Sequence, residues 1–372
     1  MARLGLGSAW RCVLANEIDA KKAASYRANF GSEGLIVADV ATLCAAHLHD
    51  HADLAWASFP CQDLSLAGAG AGLGGARSGT FWAFWRLIRE LATQRRAPRL
   101  LVLENVCGAL SSHGGKDFRT IADALVRTGY LIGALVIDAA RFVPQSRPRL
   151  FIVGASADLH IPAASMSAAP DPGWTTRALL GAHRTLSVET ARSWRWWTMP
   201  SQRGVAARFS DLIERDPPEA KWHTAEQTAR LLAMMSKLNR AKVAAKKCEA
   251  ESTGASIVGA VYKRTRPGPD RTKIQRAEVR FDEIAGCLRT PSGGSSRQTV
   301  LILEGRQVRS RLLTAREAAR LMGLPETYKL PANYNEAYHL AGDGVAVPVV
   351  RHLAANLIEP ILSHNAGLSQ AA

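Results

Sequence analysis

A doubly wound α/β fold with a smaller, irregular second domain is predicted from three observations. Short apolar runs alternate with helical patterns from residue 11 to about 155. The composition then shifts to an Ala-, Ser- and Pro-rich stretch followed by basic segments. Helical patterns return towards the C-terminus. A chain of 372 residues with 47% hydrophobic content has material for two ordinary domains and a sizeable core.

The predicted strands are Cys12–Ala15, Leu35–Ala38, Leu54–Phe59, Leu100–Leu103, Leu131–Ile137 and Leu150–Val153. Helices are expected over Lys21–Asn29, Thr80–Leu91 and Phe118–Thr128. Ala163–Pro172 reads as a linker. Trp174, Trp194, Trp196 and Trp197 follow it, assigned with the second domain. One helix, Thr224–Lys247, is expected to end in the basic run Lys237, Arg240, Lys242, Lys246 and Lys247. Any single lysine there equally suits a solvated helix face. Tyr262–Arg266 and Arg271–Arg280 are basic again. Thr314 with Glu317 has the form of a capping box. Ala318, Leu321 and Met322 continue it as an apolar stripe, closed by Gly323 and Pro325. Val345–Ile361 is a further apolar helix. These patterns divide the chain into residues 1–155, 156–310 and 311–372, the last helix returning to the first domain.

Charge narrows the partner. Lys and Arg number 47 against 32 Asp and Glu, a formal net charge of +15. Such an excess points to a polyanion, with nucleic acid foremost. The six cysteines are scattered without a CxxC pair, which argues against a zinc ribbon or other metal site. A disulfide framework is equally out of place in a chain this long, so a reducing cytoplasm is expected. Met1-Ala2-Arg3-Leu4-Gly5 is not followed by the apolar stretch of a signal peptide. No run of apolar residues reaches the roughly 18 of a membrane span.

Three short motifs end or follow successive predicted strands. Pro60-Cys61-Gln62 follows Leu54–Phe59, Glu104-Asn105-Val106 follows Leu100–Leu103, and Gln145-Ser146-Arg147-Pro148-Arg149 leads into Leu150–Val153. Each alone has an ordinary structural reading: a buried thiol, a capping carboxylate, two surface arginines. Their order and shared sheet edge, where parallel α/β sheets place their chemistry, point further. A thiolate adds to an electron-poor ring carbon, a carboxyl group hydrogen-bonds a ring nitrogen, and a guanidinium polarises a ring carbonyl. Cytosine offers C6, N3 and O2 for these roles, and addition at C6 makes C5 nucleophilic enough to take a methyl group. An ordinary thiol, with a pKa of about 8.5, is only a few per cent ionised at neutral pH, and arginines nearby raise that fraction.

These residues resemble the C5-cytosine DNA methyltransferase family. The likeness continues through Arg311-Leu312-Leu313-Thr314, Glu317 and Arg320–Pro325 to Gly342-Asp343-Gly344-Val345-Ala346-Val347-Pro348. It covers residues 11–155 and about 285–362. By resemblance the fold is a Rossmann-like methyltransferase sheet with a smaller target-recognition domain. Cys61 takes the role of nucleophile, Glu104 contacts N3 and N4 of the base, and Arg147 and Arg149 hold the flipped base and the active-site loop. The implied cofactor is S-adenosylmethionine, with Glu17 on the ribose hydroxyls and Ile18 against the adenine. Asp39 and Val40 take the adenine amino group and ring, Phe81 packs near that ring, and Pro60 and Asp343 complete the set. The family usually has Asn where Asp343 stands. Gln62, Gln145, Arg297 and Gln298 are assigned to double-stranded DNA, the last two within a glycine-rich stretch from Thr290. Gly70–Gly75 spells GxGxxG but does not follow a strand directly, and reads instead as the loop that closes over DNA.

The family normally opens with a strand and a Phe-x-Gly-x-Gly-type loop for the methionine end of the cofactor. This sequence begins beyond that point, with Arg3–Gly7 as the helix that follows. Weak or absent cofactor binding is therefore expected, with a start codon placed too far downstream as the explanation. The function implied is DNA cytosine-C5 methylation of a flipped-out base by a monomer, in a bacterial restriction-modification or orphan setting. The alternative is a truncated, inactive DNA-binding remnant. A tRNA-directed branch would show a Cys-Phe-Thr signature, which this sequence lacks. A nicotinamide oxidoreductase is a more distant reading.

Overall fold

The computed structural model describes residues 1–59, 80–202, 207–267, 272–290 and 297–371. The chain forms two compact units. The first contains Ala2–Asp138, Pro148–Gln202 and Val349–Ala372, and the second contains Met1, Ala139–Arg147 and Arg203–Pro348.

The first unit holds the parallel strands. β1 (Ala15–Glu17) pairs in parallel with β2 (Leu35–Val37), Glu17 lying opposite Val37. β3 (Leu54–Ser58) runs parallel to β4 (Leu100–Val106). β5 (Tyr130–Asp138) and β6 (Pro148–Ser156) complete a four-stranded sheet in the order β3-β4-β6-β5, with β6 antiparallel to both neighbours. The single alternating sheet expected from the sequence is thus two sheets, a pair and a group of four, among the described residues.

Burial explains β4 and β6. Leu100–Leu103 is an unbroken apolar run with both faces covered, as central strands require. Phe81, Trp85 and Ile88 of the helix Thr80–Thr93 and Phe118, Ile121 and Leu125 of the helix Lys116–Arg127 join its core. The strand Cys12–Ala15 is displaced to Ala15–Glu17, so Glu17 is the last residue of β1 rather than beyond it. The helix Ala20–Phe30 begins at Asp19, whose carboxylate accepts from Lys21 N and Lys22 N, and ends at Gly31 with a φ of 78°.

Residues 156–202 belong to the first unit. The expected linker contains β7 (Met166–Ser167), paired with β8 (Trp196–Trp197). Ile132 N donates to Ser193 O and Arg195 N donates to Ile132 O, which lays this segment along β5. Gly133 permits the approach: a Cβ there would collide with Arg195 O and the Trp197 ring. Trp197 Nε1 then donates to Val153 O of β6, at 3.1 Å.

The second unit is more regular than its basic composition suggested. β9 (Ser256–Pro267), β10 (Lys273–Arg280), β11 (Thr299–Glu304) and β12 (Gln307–Leu312) form an antiparallel sheet in the order β10-β9-β11-β12. Val261, Ala277, Val279, Leu301 and Leu303 pack on its buried side, while Arg264, Arg266, Lys273 and Arg276 are exposed. The single helix expected over Thr224–Lys247 is two, Ala225–Ala233 and Lys237–Thr253. The break has two causes: Met234 O accepts from Ala277 N of β10, and Ser236 caps the second helix through Asn239 N.

The helical stretch Tyr334–Leu368 is long and apolar enough to cross a membrane, which the run-based reading did not anticipate. Half of its apolar window is buried within the protein, as in core helices.

Candidate active site

Glu104 and Arg149 meet at the end of the four-stranded sheet. On the antiparallel β4–β6 pair, Arg149 lies opposite Val106, two positions from Glu104 on the same face. This diagonal register brings Arg149 Nε to 3.3 Å from Glu104 Oε1. Both side chains are largely enclosed, at 16% and 10% exposure. The guanidinium holds the carboxylate in a charge-assisted contact, which fixes its position. On the other side of β4, Ser58 of β3 lies opposite Glu104. Asn105 ties the two strand ends together, with Nδ2 donating to Phe59 O at 3.4 Å and Oδ1 accepting from Val106 N at 2.8 Å. Pro60, Cys61 and Gln62 lie outside the described residues, as does Gly70–Gly75.

A second cluster sits at the carboxyl ends of β1 and β2. Glu17 ends β1, and its Oε1 accepts from Asp19 N at 2.9 Å. Ile18 follows, 65% exposed. Asp39 stands two residues past β2 and accepts from Ala41 N at 2.8 Å, and Val40 packs on the small core beneath. Two carboxylates beside an exposed apolar side chain, at the ends of adjacent parallel strands, suit a nucleoside: diol and amino group to the acids, ring to the aliphatic surface. Phe81 lies in the core beneath. Its ring is fully buried between Phe59, Trp82 and Trp85, so it supports the site from within the core and presents no face to a ligand.

The remaining assigned residues belong to the second unit. Gln145 is buried: Nε2 donates to Leu321 O at 2.7 Å, and Oε1 accepts from Leu288 N at 3.0 Å. Gln298 is buried too, its Nε2 donating to Val261 O at 2.7 Å and its backbone N to the Tyr338 hydroxyl at 2.9 Å. The amides of both glutamines assigned to DNA are engaged inside the unit, where unmet amide groups are costly. Arg147 is buried likewise. Its guanidinium, 2% exposed, donates to the carbonyls of Leu288, Gly342 and Gly344 at 2.9, 2.6 and 2.8 Å, and to Cys287 Sγ at 3.3 Å. It ties the segment at Leu288 to the C-terminal end of the helix Tyr334–Asp343. Asp343 accepts from the Thr290 hydroxyl, and Arg297 donates to Asn335 Oδ1 at 2.5 Å from a more open position. The glycines at 293 and 294 lie outside the described residues.

Comparison with known proteins identifies the family of the chain. The profile of the C-5 cytosine-specific DNA methylase family matches residues 2–359. The chain belongs to the C-5 cytosine-specific DNA methylase family. The chain is similar to the Type II methyltransferase M.NlaX of Neisseria lactamica, 26% identical over 356 residues, covering 95% of this methylase and 91% of that protein. It is also similar to M.HpaII of Haemophilus parainfluenzae, 24% identical, covering 94% and 84%. Among solved structures it resembles a DNMT2 variant from Spodoptera frugiperda, with a TM-score of 0.62 at 16% identity, covering 95% and 94% of the two chains. S. pombe Dnmt2 gives 0.56 at 18% identity, covering 94% and 91%. These structural likenesses show the fold, the mixed α/β fold of S-adenosylmethionine-dependent methyltransferases. The activity of this methylase is transfer of a methyl group to C5 of cytosine in DNA.

Three residues escaped the sequence reading. Asn105 was passed over beside Glu104, although strand alternation places it on the opposite face. Cys107, just past β4, is a thiol near the methylase's charged pair. Burial pushes its pKa up, only partly offset by Arg149, while Asp138 and Glu104 push it further. It is therefore kept neutral, unlike a nucleophile. Trp82, 42% exposed beside Phe81, offers the open aromatic surface that Phe81 lacks. Its signal was its place off the apolar stripe of its helix. No cluster of three metal-ligating side chains occurs among the described residues.

Proposed function

We propose that this methylase forms a covalent bond between Cys61 and C6 of a flipped-out cytosine, and methylates C5 of that base, as part of a restriction-modification or orphan modification system. The Glu104–Arg149 pair carries the proposal: two enclosed, oppositely charged groups set at the sheet edge directly beyond which Cys61 stands in the sequence. S-adenosylmethionine, when bound, supplies an electrophilic methyl group. Glu17, Ile18, Asp39 and Val40 are the residues that would hold its adenosine, since the exposed apolar surface between two carboxylates fits that group.

The target base leaves the stack at a cost of a few kcal/mol, and double-stranded DNA is the substrate we infer. The Glu104 carboxyl group hydrogen-bonds N3 and favours the protonated ring. Arg149 orients Glu104 and polarises the O2 carbonyl. The Cys61 thiolate then adds to C6, and the C5–C6 electron pair moves to C5. After methylation the proton on C5 leaves to solvent, and the returning electron pair expels the thiolate and restores the ring. Covalent catalysis of this kind divides one difficult step into two easier ones.

Bisulfite sequencing of DNA from cells expressing the chain, with Cys61→Ser alongside, is the test. Methylated cytosines are expected with the unaltered chain and none with the variant. Methylation that survives Cys61→Ser overturns the nucleophile. Duplex binding with no methylation in either chain selects the non-catalytic DNA-binding reading.

A further inference from the structure

The second unit carries a cationic trough that the chemistry above does not use. It has a volume of about 520 Å³ and lies between the start of the helix Lys237–Thr253 and the outer strand β10. Lys237, Arg240, Arg266 and Arg276 line it against a single carboxylate, Glu278. That carboxylate is already taken. Arg266 donates to Glu278 Oε1 from Nε and Nη2 at 2.8 and 2.5 Å, and Arg264 Nε stands 3.8 Å from Oε2. No carboxylate among the described residues pairs with Lys237, Arg240 or Arg276. Three cations around one concavity add to a positive potential there, which favours an anion in it.

We propose that this trough is a contact surface for the phosphodiester backbone of duplex DNA flanking the target cytosine. The proposal rests on the DNA methylase reading and adds where part of the duplex is held. The size of the trough favours backbone over a lone ion. A water molecule occupies roughly 30 Å³ of liquid, so the space exceeds what one phosphate group fills and admits a run of sugar-phosphate. The lining favours phosphate over base edges. Flexible lysine and arginine side chains around an open concavity bring charge to a backbone, but impose no donor–acceptor pattern by which a sequence is read. The trough therefore contributes affinity and register, equally on all sequences.

The salt dependence of binding tests this. Anisotropy of a labelled duplex of about 20 base pairs would be followed between about 50 and 200 mM salt, for the full chain and for Lys237→Gln/Arg240→Gln/Arg276→Gln. All three side chains are exposed, so the fold is retained. Each phosphate contact contributes about 0.9 to the slope of log K against log salt, so the slope is expected to fall in magnitude by about 2 to 3 in the triple variant. The loss should be the same on duplexes with and without cytosine, and methylation at saturating DNA should be unchanged. A control with three charges removed elsewhere, Arg95→Gln/Arg127→Gln/Arg184→Gln, is expected to keep the slope. A triple variant with the original slope, or a control that loses as much, overturns the trough while leaving the methylase reading intact. An unaltered chain that binds no duplex overturns both.

Discussion

A guanidinium carries five N–H donors in a rigid fork, and its surroundings decide what they hold. Arg147 meets three backbone carbonyls and a sulfur inside the second unit, whereas Arg149 meets the carboxylate of Glu104 at the edge of the first. The two arginines thus separate in a way that measurement distinguishes. Arg149→Gln removes a charge-assisted contact at the reacting base, worth about 1.5–3 kcal/mol, and is expected to lower kcat about 10- to 100-fold with little change in the urea midpoint. Arg147→Gln leaves buried carbonyls unmet at about 1–3 kcal/mol each, so the midpoint should fall while kcat per folded molecule stays near normal. An Arg147 variant of full stability but no turnover would return this residue to the active site. The motif Gln145–Arg149 was readable as important from the sequence, but the division of labour within it was not. Residue type and spacing do not reveal that the chain passes from one compact unit to the other between Arg147 and Pro148.

Local rules were legible where a single element satisfies them. The Thr314–Glu317 capping box forms as read, with Glu317 N donating to Thr314 Oγ1 at 3.1 Å and Thr314 N to Glu317 Oε2 at 2.8 Å. Its deeper role needed the fold: Glu317 is also fully buried against Arg311, both carboxylate oxygens at 2.7 Å from guanidinium nitrogens. Removing one partner of such a pair costs about 3–5 kcal/mol, since it leaves an uncompensated charge. Glu317→Ala is expected to show that loss in urea unfolding, and Arg311→Met/Glu317→Leu to recover much of it. A double variant as unstable as the sum of the single ones would sink this reading. The helix break at Met234–Ser236 was not legible, because its partner, Ala277 N, comes from β10, far along the chain. The place of the tryptophan-rich segment along β5 was not legible for a similar reason, since Gly133 on β5 makes room for it. That segment contains a pH response. His183 lies 5.0 Å from the Trp194 ring and 4.6 Å from the Trp196 ring, and burial lowers its pKa below the usual 6.5. The folded state thus disfavours the charged imidazole. Its contribution to stability is fully present above the unfolded value and is lost as pH falls through the lowered folded value. Tryptophan fluorescence should titrate with a midpoint below 6.5 and lose that transition in His183→Phe. A midpoint above 6.5 would contradict it.

At the scale of the molecule, strand–helix alternation was legible while sheet membership was not, because pairing depends on which strands find partners. β1 and β2 are three residues long, contain no fully buried residue and pair only with each other among the described residues. They rest on a small cluster around Leu43, Ala45, Leu48, Leu87 and Leu91. β4, by contrast, is seven residues long, buried along Leu100–Leu103 and paired on both sides. Stability within a protein follows such differences in burial and pairing, and regions with few of either open well below the global free energy. The residues assigned to adenosine sit on the weaker pair. Hydrogen exchange should therefore show amides of β1 and β2 exchanging at least about 100-fold faster than those of β4 and β6, a difference of about 2.7 kcal/mol. A ligand that binds only the closed form stabilises it by about 2.7 kcal/mol at a hundred times its Kd. Saturating S-adenosylmethionine should thus slow exchange over residues 15–40 by up to about 100-fold, with little change in β4. Ile18→Ala, which removes the exposed apolar surface at the end of β1, should shift that protection to higher ligand concentration. If β1 and β2 are as protected as β4 without ligand, this gradient is absent. If protection appears elsewhere on adding S-adenosylmethionine, the adenosine does not lie at Glu17, Ile18 and Asp39.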